Sequence, residues 1–329
     1  MSPTARKILR LIATTLALLM FAVQGRAQDA GAYPSRPIKF VVPYAAGGIT
    51  DTVARLIAAR FTETWKQPVV VENRLGAGGL IGNEAVAKAP GDGYTVLVGI
   101  TQIIQAPSLY KKLNYDVFTE LTPLSLLTYS YNLLLLPAAN PANNLKEFVA
   151  LVKANPGKYN FGSFGTATSA HLHGELLNSV AGLDLSHTPY KGAAPLLNDL
   201  LGNHVGSGFV DLATAQPQLS SGRLKVLAIS GPRRSRLLPD VATFGEQGYP
   251  GFEPVGWTGA FVPASTPKPI VAKLAAEIGR IMRLPDVLAK LDSIGAESVG
   301  NSPEEFATVI RTDVPRWAKM IKDAKASLD

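Results

Sequence analysis

Two rhythms alternate along the chain. Short, mostly apolar runs read as buried strands, and each is followed by a stretch in which apolar residues recur about every three to four positions, the period of a helix with one buried face. Ile38 to Val42 is the first such strand. Asp51 to Trp65 follows as a helix with Val53, Leu56, Ile57, Phe61 and Trp65 on one side, and Val69 to Glu72 is the next strand. After the turn Gly76-Ala77-Gly78-Gly79 a second helix runs to about Ala89, and Pro90-Gly91-Asp92-Gly93 turns the chain into strand Tyr94 to Val98. Connections this short between strands and helices imply parallel strands, right-handed crossovers and ligand contacts at the carboxyl ends of the strands.

The same grammar restarts after a long apolar stretch, Leu124 to Leu136. Asn144 caps a helix with Glu147 at capping-box spacing, and Asn155-Pro156-Gly157 closes it. Strand Tyr159 to Gly162 opens into the small polar loop Ser163 to Ser169, and a helix carries Leu172, Leu176 and Val180 on one face. A helix from about Ala194 to Leu201, strand-like Phe209-Val210 leading to Asp211, and strand Leu224 to Ile229 complete this half. The tail is helical: Pro267 and Pro269 open one helix ending near Met282, and the capping box Ser302-Pro303-Glu304-Glu305 starts a last one that Pro315 should bend. Both are expected to pack on the first half. Leu124 to Leu136 and Val255 to Val262 are the candidate crossings between the two.

The N-terminal pattern has another meaning. Arg6, Lys7 and Arg10 precede thirteen apolar-rich residues, Leu11 to Val23, and Gly25-Arg26-Ala27 offers a small-x-small cleavage site. Thirteen is short of the ~20 residues that span a bilayer. Residues 1–27 therefore read as a secretory signal peptide cleaved near Ala27, which marks the protein for export. Its removal takes away four basic residues and leaves 28 basic against 25 acidic, a net charge of +3 that gives no reason to invoke nucleic acid. Arg233-Arg234-Ser235-Arg236, the remaining basic cluster, reads as a solvated turn. With no cysteine, thiol nucleophiles, iron–sulfur clusters and Cys-based zinc sites are excluded, and the fold rests on burial alone.

Candidate chemistry gathers where strands end in small-residue loops. Gly47 and Gly48 let backbone approach a ligand closely, and Thr50 or Asp51 is a candidate cap for a helix whose free N–H groups and positive dipole end favour an anion. The competing reading is a plain strand-to-helix turn. Asp211 is a helix cap, an acceptor for a ligand amine or hydroxyl, or a charge that repels a second carboxylate. Tyr44, Tyr190 and Trp257 lie in or near loops expected to face a cleft. Ser163 or Ser169 with His171 or His187 and Asp211 supplies the residue types for acyl transfer, without a Gly-x-Ser-x-Gly elbow around either serine. His171 and Glu175 share a helix face while His173 points elsewhere, and two ligands do not close a metal site.

Several segments, in order, resemble one family. Tyr33-Pro34-Ser35-Arg36-Pro37-Ile38, Pro43-Tyr44-Ala45-Ala46-Gly47-Gly48-Ile49-Thr50-Asp51, Val71 to Gly79, Pro90-Gly91-Asp92-Gly93-Tyr94-Thr95, Pro189-Tyr190-Lys191-Gly192 and Leu238-Pro239-Asp240-Val241 are similar to the periplasmic substrate-binding receptors of tripartite tricarboxylate transporters, the Bug-type receptors. The resemblance covers essentially the whole mature chain. It implies an α/β, two-lobed Venus-flytrap receptor, each lobe a mostly parallel sheet flanked by helices, with lobe 1 at 33–128 plus 258–329 and lobe 2 at 129–257. Such a receptor closes on a small organic acid and delivers it to a permease made of a large and a small membrane subunit.

The resemblance also implies two pincers that hold ligand carboxylates mainly through backbone N–H groups and bridging waters. The first draws on Tyr44, Ala46, Gly47, Gly48, Thr50 and Asp51, and Ile49 occupies a place that is often smaller in the family. The second draws on Ser163, Gly165, Thr166, Thr168, Ser169 and His171, with Tyr190, Lys191 and Asp211 nearby. No catalytic residue, metal or cofactor is expected, and the protein is expected to be a monomer. The alternatives are a sensor subunit that presents its ligand to a membrane kinase and an exported α/β hydrolase.

Overall fold

The computed structural model describes residues 33–328, so the expected signal peptide lies outside the described residues. Two mixed sheets organise the chain. The first starts with β1 (Ile38–Val42), whose Cterminal end leads through the Gly47-Gly48 loop into α1 (Ile49–Trp65). Then come β2 (Val69–Asn73), a 3-10 turn at Ala77–Gly79, α2 (Leu80–Ala87), β3 (Thr95–Ile100) and β4 (Leu121–Ser130). β1 pairs in parallel with β2 and β3, as the short crossovers imply. The face of α1 that carries Val53, Ile57 and Phe61 is buried, and Phe61 meets Phe40 of β1 and Trp65 edge-on.

The long apolar stretch is two strands with a break at Tyr131. β4 ends at Ser130 in the first sheet, and β5 (Asn132–Pro137) opens in the second. Around β5 the chain adds α3 (Leu145–Lys153), β6 (Asn160–Ser163), α4 (Ser169–Ala181), β7 (Ser186–Pro189), α5 (Ala193–Leu201), β8 (Gly208–Asp211), α6 (Leu212–Leu219) and β9 (Leu224–Ile229). The order of this sheet is β7-β6-β8-β5-β9. β6 runs parallel to β7 and β8, while β5 runs antiparallel to β8 and β9. The crossing strand enters from the far sheet, so parallel pairing is confined to the strand–helix repeats on one side of it. Asn144 caps α3 as expected, but Glu147 reaches back to the Asn143 N–H and the Asn144 side-chain amide, one residue earlier than a reciprocal box.

After residue 229 the chain returns and re-enters the first sheet as β10 (Gly256–Pro263), so most of the stretch expected to cross is itself strand. β10 sits antiparallel between β3 and β4, and all of its residues are buried. The tail adds α7 (Lys268–Ile281), α8 (Pro285–Ser293), the short β11 (Glu297–Ser298) and α9 (Pro303–Asp323), giving the order β11-β4-β10-β3-β1-β2.

The last helix departs from expectation. α9 carries the full capping box at Ser302 and Glu305 and continues through Pro315 to Asp323. It serves both sheets: Phe306 packs on Trp257 and Phe261 of the first, while Trp317 lies 6.1 Å from the His173 ring of α4, and Ser179 donates to the Asp323 carbonyl at 2.8 Å. Trp317 is fully buried, and sheltering an indole of that size contributes about 4 kcal/mol. An apolar patch near the far end of α9 thus ties the tail to the second half as well as to the first.

Candidate functional site

Between the two sheets lies a cleft of ≈ 480 Å³, counting the part open to solvent, whose enclosed interior is tight. Four helices begin at its wall: α1 at Gly48, α4 at Ser169, α5 at Ala193 and α6 at Asp211. The first-turn N–H groups of a helix have no intrahelical acceptor and sit at the positive end of its dipole. Side chains do not cap α1, α4 or α5, whose N-caps are Gly48, Thr168 and Gly192. Among these four helices, α6 alone has its donors answered by its own cap, Asp211.

The first pincer is built by β1 and the turn behind it. Tyr44 is buried against the cleft and its hydroxyl donates to the Gly78 carbonyl at 3.1 Å; burial, with Tyr115 nearby, raises its pKa well above the ordinary tyrosine value. Gly47 turns with φ +90°, a conformation that favours glycine, and Gly48 is extended, so it and not Thr50 or Asp51 is the cap residue. Gly48, Ile49 and Thr50 face the cleft, whereas Ala46 and Gly47 are exposed outside it.

Asp51 has another task. Its carboxylate accepts from the Gly47 N–H at 3.1 Å, from Asn73 Nδ2 at 2.9 Å and from Arg55 Nε at 2.9 Å. Burial by itself would raise its pKa, and these hydrogen bonds with the Arg55 charge outweigh it and hold the carboxyl below the usual range. Asp51 therefore fastens the turn from behind rather than lining the cleft. It was expected as a cap because aspartate is among the best caps, but the cap position is fixed here by where the backbone leaves the helix.

The second pincer follows β6. Ser169 lines the cleft and accepts from Asn132 Nδ2 at 3.1 Å. Behind it the loop is tied to itself: the Thr168 hydroxyl donates to the Gly165 carbonyl at 2.6 Å, and the Ala167 N–H donates to His171 Nδ1 at 3.3 Å. Thr166 is half-buried, with its carbonyl so close to Gly78 that a Cβ there would lie 2.1 Å from it. Tyr190 turns away to donate to Asp199 at 2.7 Å, and burial with that carboxylate beside it pushes its pKa up to about 12. Lys191 is exposed, and its carbonyl accepts from the Ala45 N–H of the first lobe at 2.8 Å.

Asp211 is the helix cap that one of its sequence readings expected. It caps α6 by accepting from the Thr214 N–H at 2.8 Å and from the Thr214 hydroxyl at 2.9 Å, and it forms part of the cleft wall. Burial pushes its pKa up to about 6 against the pull of these bonds. Thr214 in turn accepts from the Ile49 N–H of the first lobe at 3.2 Å.

The acyl-transfer residues do not assemble into a working site. Ser163 Oγ lies 2.7 Å from His187 Nε2, a nucleophile–base distance, but Ser163 is fully buried, with the Gly165 carbonyl also within reach at 3.1 Å. The His187 ring stacks on His171 at 4.1 Å; burial first, and then His171, lowers its pKa to about 3. Asp211 is engaged with Thr214 instead of orienting a histidine. His171 lies 3.6 Å from Glu175 and His173 turns to Asn132, and among the described residues no group of three or more His, Cys, Asp or Glu stands ready for a metal ion. Arg233, Arg234 and Arg236 pair with Glu297, Glu246 and Asp292.

Sequence reasoning did not find the floor of the cleft, where Ser130, Asn132 and Gly256 come from the crossing strands and Ile100 and Thr101 from the end of β3. A Cβ on Gly256 would meet the Ser130 carbonyl at 3.3 Å, Ser169 Oγ at 3.5 Å and Thr101 Oγ1 at 3.8 Å, so this glycine sits where both lobes present hydroxyls. Trp257, placed near the cleft by its sequence position, does line it.

Residues 53–326 match the family model described as the tripartite tricarboxylate transporter family receptor. A "UPF0065 protein in tcbD-tcbE intergenic region" of Pseudomonas sp. (strain P51) is 37% identical over 314 residues, 95% of this chain and 93% of that one. Among solved structures, the periplasmic binding protein BugD is 38% identical with a TM-score of 0.86, covering 90% of this chain and 99% of that one. MatC from Rhodopseudomonas palustris, solved with bound malate, is 36% identical with a TM-score of 0.84, covering 88% of this chain and all (100%) of that one. Family and fold are those of periplasmic solute-binding receptors rather than enzymes. With a family match across most of its length and uncapped helix N-termini at the cleft between its sheets, the chain belongs to the Bug-type receptors of tripartite tricarboxylate transporters.

Proposed function

We propose that this protein binds a small carboxylated organic molecule between its two lobes and delivers it to a membrane permease of one large and one small subunit. The observation that carries this reading is the convergence of the uncapped N-termini of α1, α4 and α5 on a cleft with no Lys or Arg in its wall. Backbone N–H groups at helix starts hold a carboxylate without a cationic side chain. The malate bound in the MatC structure is a carboxylate of this size.

The first sheet with its helices forms one lobe and the second sheet the other; because β4 runs to Ser130 and β10 starts at Gly256, the lobe boundaries expected at 128/129 and 257/258 shift to about 131 and 255, and Gly48, Thr50 and Ser169 hold the ligand from the two sides. Ligand closes the lobes by gaining contacts to both at once, so it binds the closed form better than the open one. The mature receptor is exported after cleavage near Ala27 and works as a monomer in the periplasm. A thermal-shift screen of refolded, ligand-stripped protein against di- and tricarboxylates, amino acids and aromatic acids tests the reading. Ligand at ~100 times its dissociation constant adds ~2.7 kcal/mol of stability. A shift with one class of acid, recovered unchanged, is the expected result; silence across all acids, or conversion of one, contradicts it.

A further inference from the structure

Resting on the receptor reading above, we infer that the cleft selects a singly charged acid whose body is an apolar ring, in place of a linear di- or tricarboxylate. Three observations converge. Ile49, Ile100, Phe164 and Trp257 line the cleft, and the first three keep residual exposures of 7%, 8% and 8% that open onto it. They come from both lobes, so a ligand body between them is covered on two sides.

The surface facing the cleft is mostly carbon, and of its polar groups Tyr44, Asn132 and Asp211 are engaged within the protein, the Asn132 amide reaching Ser169 Oγ and His173 Nδ1. A second carboxylate placed there loses its water and gains no partner of opposite charge. The wall contains no Lys, Arg or His, and its one carboxylic acid, Asp211, repels a further negative charge. The single carboxylate is provided for where the starts of α1, α4 and α5 converge.

Ser130 Oγ, buried without a protein partner and on the cleft wall, is placed to answer a ring substituent that hydrogen-bonds.

Titration calorimetry on the ligand-stripped protein separates this inference from the receptor reading. The probes are benzoate and cyclohexanecarboxylate, then malate, adipate and citrate, then benzamide as the uncharged counterpart of benzoate. The expected result is a ring monoacid bound at least about tenfold more tightly than any polyacid, as ring burial predicts, with benzamide weaker than benzoate by a similar factor. The variant Ile49→Thr keeps the β-branched shape and narrows that preference severalfold. Tighter binding of a polyacid, or equal binding of benzamide, overturns the inference while the receptor reading stands. Heat from none of the acids overturns the receptor reading itself.

Discussion

The N–H of Ile49, in the first turn of the first-lobe helix, donates to the hydroxyl of Thr214 in the second lobe at 3.2 Å, across 165 positions of chain. Thr214 passes its own proton to Asp211 at 2.9 Å, so a helix start of one lobe is linked through one hydroxyl to a buried carboxyl of the other. Together with Ala45 donating to Lys191, this bond fastens the lobes beside the ligand space. Thr214→Val keeps the side-chain shape and removes both bonds. Loss of a hydrogen bond of this kind costs about 1 kcal/mol, or roughly fivefold in affinity for a ligand that needs the closed form. X-ray scattering should show the unliganded variant more expanded than the parent; identical profiles and affinities would mean that the bond does not hold the lobes together.

Asp211 gives stability a predictable pH dependence. Its folded-state pKa, pushed up to about 6 by burial, lies above the ordinary carboxylate value, so the protonated form is favoured in the fold. That contribution is fully present below about pH 4 and is lost as the pH rises through about 6. Asp211→Asn keeps an acceptor for the Thr214 N–H and removes the buried charge. The variant should therefore melt above the parent at pH 7.5, with the gap closing by pH 4. Melting curves across that range check it, and a gap that is constant with pH speaks against a buried carboxylate.

Asp51 works in the opposite sense. Its pKa is held below the usual range by Arg55, Asn73 and Gly47, so its stabilisation is present at neutral pH and fades as the pH falls through the lowered value. Asp51→Ala should cost about 1 kcal/mol at pH 7 and weaken ligand binding modestly by loosening the Gly47 turn. The stability difference should shrink in acid. Equal destabilisation at pH 3 and pH 7 would rule out the charged clamp.

The closest approach of the lobes offers a steric test. Gly78, at φ +63°, faces the Thr166 carbonyl with no room for a side chain. Gly78→Ala should prop the cleft open and weaken ligand binding at least about tenfold, while the left-handed alanine costs only about 1 kcal/mol of folding stability. Small-angle scattering on the variant with saturating ligand should show an expanded particle. Normal affinity would show that full closure at this point is not needed for binding.

What the sequence revealed was local, and what it concealed was tertiary. The Gly47-Gly48 and Ser163-to-Ser169 loops announced themselves because a strand, small residues and a helix start are adjacent in the chain. The break at Tyr131 carries no turn signal, since Thr128-Tyr129-Ser130-Tyr131-Asn132 alternates as a single strand does and has no Gly or Pro to divide it. For the same reason Ser130 and Asn132 looked like strand interior rather than cleft floor. Thr214 carries no local signal at all: its role depends on a partner that only folding brings near. Trp317 misled by its address, because a helix that follows first-lobe elements in the chain also buries its far end against the second.

The most direct test of the central claim is a calorimetric titration of ligand-stripped protein and its Gly48→Glu variant with the acid that stabilises the parent. A Cβ at Gly48 has space, its nearest neighbours being Ala193 and Thr214 at 3.8 Å and 3.9 Å, so the variant should fold and place a carboxylate at the helix start where the ligand's belongs. Reversible one-to-one binding by the parent, with no measurable binding by the variant, is the predicted result. Equal affinity for both proteins would contradict the account, because the anion would then be held somewhere other than the start of this helix.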